Sequence, residues 1–196
     1  MKTQINNSLT SLIKATFLIT LLMLGACNGR KASAQKEASS QSTVKAPPVD
    51  IHTAVVTNNI EALKHHIQAG TNLNEKDPFG GSSPLISAAL FGKTEMAKIL
   101  IDAGADINVQ NNDGSTALHT ATFFCRPEIV AMLLKKNADK TIKNNFGSTA
   151  YESVVGSFAD VKQVYEMMGK MLGSMGLKLD YGYIEKTRPE IATMLK

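Results

Sequence analysis

Three stretches of this chain repeat one another at a fixed interval. Gly81-Ser82-Ser83-Pro84-Leu85, Gly114-Ser115-Thr116-Ala117-Leu118 and Gly147-Ser148-Thr149-Ala150-Tyr151 follow each other in steps of 33 residues. A second series keeps the same beat, in AGTNLN from Ala69, AGADIN from Ala103 and NADKTI from Asn137, where Gly70, Gly104 and Asn137 align in steps of 34 and 33. Between them lie Glu61-Ala62-Leu63-Lys64, Glu95-Met96-Ala97-Lys98 and Glu128-Ile129-Val130-Ala131. The one extra residue in the first step falls in EKDPFGGS, from Glu75, where a loop carries an additional glycine. A period of this length is one supersecondary unit, too small to bury its own apolar face. Neighbouring units must therefore stack.

The residue types say what each unit is. Thr116 before Ala117 suits a helix N-cap, where its hydroxyl takes up a free backbone N–H. Pro84 suits a first helical position, where a missing N–H costs nothing. Leu118, Ala121, Ile129, Val130, Leu133 and Leu134 recur at helical spacing on faces that can be buried. Ala88 and Ala89 let two helices approach closely, and Gly104 stops a helix because glycine accepts positive φ. Each unit reads as two antiparallel helices and a turn. The first has no preceding turn and carries Asn58 between its helices, as a terminal unit does.

Asp113-Gly114-Ser115-Thr116-Ala117-Leu118-His119-Thr120-Ala121, Pro127-Glu128-Ile129-Val130 and Gly104-Ala105-Asp106-Ile107-Asn108 together resemble the ankyrin repeat, over about residues 50–155. The resemblance implies an all-α fold: an ankyrin-repeat solenoid of helix–turn–helix units with β-turn fingers. About four repeats are expected, near 50–80, 81–113, 114–146 and 147–175, with a degenerate C-terminal capping helix in 176–196. Repeat four drifts from the pattern, and its second helix is expected near Asp160–Leu172, shifted by one residue. GSMGLKLDYGYIE, from Gly173, reads as an irregular crossover. Beyond it Arg188-Pro189-Glu190-Ile191 echoes Arg126-Pro127-Glu128-Ile129, as a cap or half of a fifth unit would.

The first 49 residues read differently. Lys2 and Lys14 precede the charge-free stretch Ala15–Ala26, which is too short to span a bilayer comfortably but has the length of a signal-peptide core. Leu24-Gly25-Ala26-Cys27 resembles the bacterial lipobox, which implies cleavage before Cys27 and lipid on its sulfur. Residues 1–26 are then a lipoprotein signal peptide. Residues 27–49 are the lipidated cysteine and a tether rich in Ala, Ser, Gln and Lys, expected to be disordered and to reach roughly 25 Å on average. An ordinary signal with an incidental cysteine is the other reading. The address implied is the bacterial cell envelope, anchored to a membrane on its periplasmic or surface face. Without Lys2 and Lys14, 19 basic side chains face 17 acidic ones. A balance so near neutral leaves no electrostatic footprint for nucleic acid.

A search for chemistry turns up little. His52 and His119 occupy the same repeat position, where in the family the ring hydrogen-bonds a neighbouring turn. His65 and His66 are adjacent on one helix and so point apart, with no further metal ligands in view. Cys125 stands where the repeat usually has glycine; beside Arg126 it could be reactive, or it is a small residue tolerated at a tight turn. Met167, Met171 and Met175 recur at spacing four, with Met168 alongside. They fill core gaps at the cap or, as the alternative, hold copper(I). No nucleophile–base pair, phosphate-binding loop or paired-cysteine zinc spacing is present, so neither an enzyme, a cofactor nor a small-molecule substrate is expected.

The resemblance implies binding to another protein through turn tips and the exposed, concave face of the first helices. The residues on that surface are Lys76, Asp77, Phe79, Leu90, Phe91, Gln110, Asn112, Asp113, Phe123, Phe124, Lys143, Asn145 and Phe146. Leu90-Phe91 and Phe123-Phe124 are equivalent by the 33-residue offset and would lie side by side, with one member of each pair expected to pack inward. The function expected is a membrane-anchored protein–protein interaction module. An inhibitor, immunity protein or regulator of a periplasmic enzyme is the alternative, and copper(I) handling a more distant one.

Overall fold

The structure, a computed structural model, describes residues 45–196. The leader, Cys27 and most of the tether lie outside the described residues. Among the described residues there are helices and turns but no strands. Helices α1 (Ile51–Val56) and α2 (Ile60–Gln68), α3 (Pro84–Phe91) and α4 (Thr94–Asp102), and α5 (Ala117–Phe123) and α6 (Pro127–Lys135) form three successive pairs. After them come α7 (Glu152–Val155), α8 (Phe158–Leu172), a 3₁₀ turn at Gly173–Met175, and α9 (Tyr181–Leu195).

The helices begin where short polar side chains can close their free N–H groups. Asp50 accepts from the N–H of Thr53 at 2.9 Å and Asn59 from that of Ala62 at 3.0 Å. Ser83 accepts from Ile86 at 3.3 Å, and Thr116 forms a capping box with His119. Pro84 and Pro127 stand in the first turns of their helices. The chain reverses through residues of positive φ at matching places in each unit. Asn58, Gly92 and Cys125 end the first helices, while Gly70, Gly104 and Asn137 end the second. Val49 is already tied down, because the Nε2 of His66 donates to its carbonyl at 2.7 Å. The fold therefore takes hold one residue before Asp50.

Stacking gives two rows. The first helices α1, α3, α5 and α7 pack in series, and the second helices α2, α4 and α6 pack in series behind them. Ala88, Ala89, Ala117 and Ala121 are buried in the first row, where small side chains bring the backbones together, and Leu63, Leu100 and Leu133 are buried on the second helices. The core is one continuous cluster from Ile51 to Leu195.

The fourth unit departs from the expected arrangement. Its second-row place, against α6 and α7, is taken by α9 rather than by the Asp160–Leu172 segment in α8. The echo of Arg126-Pro127-Glu128-Ile129 in Arg188-Pro189-Glu190-Ile191 is thus positional, and α9 is the helix that caps the stack. Arg188 follows Arg126 by 62 residues instead of 33, so 29 residues are inserted between the two helices of this unit. There is a physical reason for the chain to leave at this point. The place that takes positive φ in Asn58, Gly92 and Cys125 falls here on Phe158, a bulky residue for which left-handed backbone is costly. Instead α7 stops at Val155, and Gly156 is extended, with φ −70° and ψ 168°. The segment expected as an irregular crossover is largely helical too: α9 starts at Tyr181, capped by Asp180, and runs through Pro189.

Candidate functional site

The fingers are built from short polar side chains that hold the backbone in tight turns. Asp77, Asn111 and Asn144 occupy equivalent places and accept from the N–H two residues on, that of Phe79 at 2.8 Å, Asp113 at 3.1 Å and Phe146 at 3.1 Å. Adjacent fingers are then bonded to each other. The N–H of Asn112 donates to Gly80 at 3.0 Å, and that of Asn145 to Asp113 at 2.9 Å. The Nδ2 of Asn145 reaches the carbonyl of Asn112 at 2.9 Å. Gln110 donates to the carbonyl of Gly114 at 2.6 Å and to that of Lys143 at 3.4 Å. Lower down, Asn74 accepts from the N–H of Asp106 and Asn108 from that of Asp139, at 2.8 and 3.0 Å.

These contacts divide the expected binding residues by role. Gln110, Asn112 and Asn145 tie fingers together, and Asp77 folds its own. Burial pushes the Asp77 carboxyl up, but the N–H groups of Gly80, Phe79 and Ser82 outweigh it and hold the group below the usual carboxylate range. What the fingers display is different: Phe79 is 92% exposed and Phe146 78% exposed, at equivalent tips, with exposed Asp113 on the finger between them. Lys76 and Lys143 are exposed beside them. So well fixed a tip presents its phenylalanine with little entropy left to lose on binding.

Close finger contacts give a test of this ladder. A Cβ on Gly81 would lie 2.2 Å from Asn112 Oδ1 and 3.2 Å from its backbone nitrogen, at φ +66°. One on Gly147, at φ +77°, would meet nothing within 4 Å. Gly147→Ala should therefore cost only the left-handed penalty, about 1 kcal/mol. Gly81→Ala should cost at least twice that, about 2–3 kcal/mol, because the bond from Asn112 to Gly80 must also shift. Urea denaturation midpoints of the two variants read the difference.

The first-helix ends are only partly exposed. Leu90 and Phe91 are half-buried. Phe124 is 3% exposed and belongs to the core, and Phe123 is covered by Tyr165 of α8, ring centres 4.5 Å apart. Tyr165 is fully buried. Its hydroxyl donates to the carbonyl of Phe123 and accepts from Arg188 at 3.1 Å. The Arg188 guanidinium, itself buried, also donates to the carbonyls of Gly156 at 3.0 Å and Ser153 at 3.5 Å. No carboxylate pairs with it among the described residues. Sequence reasoning missed both residues. For Arg188 the signal was present, in its equivalence to Arg126; for Tyr165 only the apolar spacing of Phe158, Val161, Tyr165 and Met168 hinted at it.

The remaining candidates settle into place. His119 Nε2 donates to the carbonyl of Ser148 in the next finger at 3.1 Å, and burial lowers its pKa. His52, at the same repeat position, has both ring nitrogens buried without a partner among the described residues. Cys125 is buried, with its thiol pushed up to about 11 by that burial, so the neighbouring arginines do not make it reactive. The methionines differ from the core-filling expectation: Met168 packs on the core, but Met167, Met171 and Met175 are more than half exposed. Among the described residues no three His, Cys, Asp or Glu side chains are grouped to hold a metal ion.

Comparison with known proteins agrees with this architecture. The ankyrin-repeat family, as three copies, matches residues 51–144. The human DNA-binding protein RFXANK is 34% identical over 61 residues, which is 31% of this chain and 24% of that protein. Human protein phosphatase 1 regulatory subunit 27 is 34% identical over 64 residues, 33% of this chain and 41% of that protein. This chain thus spans less than half the length of either relative. The crystal structure of the ankyrin repeat domain of Bcl-3 superposes with a TM-score of 0.51 at 31% identity, covering 53% of this chain and 45% of that one. Residues 51–144 match the ankyrin-repeat family model, and the described domain has the ankyrin-repeat fold.

Proposed function

We propose that this protein is a membrane-anchored binding module that captures another protein on its finger tips, without catalysis of its own. The observation that carries this is the pair of phenylalanines, Phe79 and Phe146, held in water at equivalent tips by a rigid hydrogen-bonded ladder. Exposed aromatic side chains on a fixed scaffold are the kind of anchor that dominates protein interfaces. Asp113 between them, with Lys76 and Lys143 nearby, would set the orientation of the partner. The anchor is Cys27, by the lipobox reading, which places the module on the bacterial envelope at the end of its tether.

Regulation is a narrower form of the same reading. One of the relatives above carries the name of a phosphatase regulatory subunit, a name that describes control of another protein. An inhibitor or immunity protein would bind one partner tightly and stoichiometrically, whereas a scaffold would bind several weakly.

A crosslinking pull-down from intact membranes tests both parts. Wild type should yield a partner that is lost, by at least tenfold, in Phe79→Ser/Phe146→Ser, while the variant's melting temperature stays unchanged because both rings are in water. Equal recovery from the two proteins would exclude the finger tips. In the same preparation, Cys27→Ala should move the protein from the membrane to the soluble fraction; retention on the membrane would exclude the lipid anchor.

A further inference from the structure

Helix α8 belongs to neither row of the stack. The insertion that carries it leaves at Gly156 and returns through Gly173 and Gly176, the latter at φ 94°. Beyond the 3₁₀ turn that continues it, α8 packs mainly on α9. Its inner stripe is Phe158, Val161, Tyr165, Met168 and Leu172, and of these Tyr165 alone is fully buried. The adjoining stripe, Val164, Met167, Met171 and Met175, stands in water, with Met171 66% exposed. A helix of this length is marginal without packing, and a segment with few buried contacts opens at far lower free energy than the core.

Opening would leave no polar group stranded. The Phe123 carbonyl, freed of the Tyr165 hydroxyl, meets water, and Arg188 keeps the carbonyls of Gly156 and Ser153. What opening would uncover is the buried half of Phe123, whose equivalent on α3, Leu90, lies beside no such helix.

We propose that α8 is a detachable cover over the end of α5, and that its release exposes Phe123 as a further contact for the protein bound at the finger tips. The second half of this statement rests on the protein-binding reading above; the first half stands without it. Tyr165 is the latch. Its ring stacks between Phe123 and Phe158, and its hydroxyl joins α5 to α9 through the carbonyl of Phe123 and the guanidinium of Arg188.

Native-state hydrogen exchange on the full chain tests the cover. The amides of α8 should exchange about a hundredfold or more faster than those of α5 and α6. Within residues 51–196 trypsin should cut at Lys162 and Lys170 before Lys98 and Lys135 in the stack. Tyr165→Phe, which keeps the ring and removes the hydroxyl, should accelerate both in α8 while leaving α3–α6 unchanged. Exchange of α8 in one step with α5 and α6, or equal acceleration of all helices by Tyr165→Phe, would overturn the cover. For the face, a partner captured as above should bind Tyr165→Phe severalfold more tightly than wild type. Unchanged affinity with an opened α8 would overturn the masking of Phe123 alone. Absence of any finger-dependent partner would defeat the binding reading and leave the exchange result standing.

Discussion

Tyr165→Ala should undock α8 outright while the two rows of helices stay folded. The substitution removes a fully buried aromatic ring that stacks on Phe123 and Phe158 and meets Phe124 edge-on. Truncation of such a ring costs about 3–5 kcal/mol, and loss of the aromatic pairings belongs to that cost. The loss falls on α8, because its other inner residues are only partly buried. Once α8 is free, further destabilisation has nothing left to act on, so the stack loses no more than docking of α8 contributed. Circular dichroism should report a loss of helix equivalent to the 15 residues of α8, with the cooperative melt of the remainder preserved. A fall of the whole domain's stability by the full amount, with no prior loss of helix, would place α8 inside the cooperative stack.

Arg188→Ala should act on the stack itself, at a cost of about 3 kcal/mol. The guanidinium is 3% exposed and donates to three oxygens, two of them carbonyls at the end of α7. Alanine leaves those carbonyls without a donor and a hole beside them, and charge-assisted bonds are the stronger kind. Arg126, the equivalent residue one unit earlier, is half-buried and makes one marginal bond, to the carbonyl of Leu90 at 3.5 Å. Arg126→Ala should cost only about 1 kcal/mol. Equal urea midpoints for the two variants would show that the burial of Arg188 contributes nothing beyond its repeat position.

The contrast between those arginines also shows how far the sequence can be read. The first three units follow from residue types at fixed spacing, since caps, positive-φ positions and small residues are local requirements that one residue can meet. Ser83, Thr116, Gly92 and Gly104 each announce their role by chemistry alone. The fourth unit does not, because its second helix is recognised only by packing against α6, and packing has no spacing in the chain. Phe158–Leu172 has helical apolar periodicity and arrives on time, so it takes the place that Arg188–Leu195 fills in space. The binding residues divide in the same way. Phe79 and Phe146 were legible as tips because turn chemistry exposes whatever follows the Asx residue. Phe123 was not, since its cover comes from a helix inserted 35 residues later, at Phe158.

The excursion between Gly156 and Arg188 makes the last repeat a socket. Its two ends are already joined across the gap, by the bond from the Arg188 guanidinium to the Gly156 carbonyl at 3.0 Å. The length of the intervening chain is therefore uncoupled from the pitch of the stack, and loop closure grows only slowly with length. A unit at the interior of the array would have to clear neighbours on both sides; among the described residues this one has a completed unit on one side. Residues 157–176, which end before α9, can accordingly be exchanged for a segment of different length or composition without re-registering a single finger. The scaffold and the element it displays there are separable parts, open to independent replacement by mutation or by design.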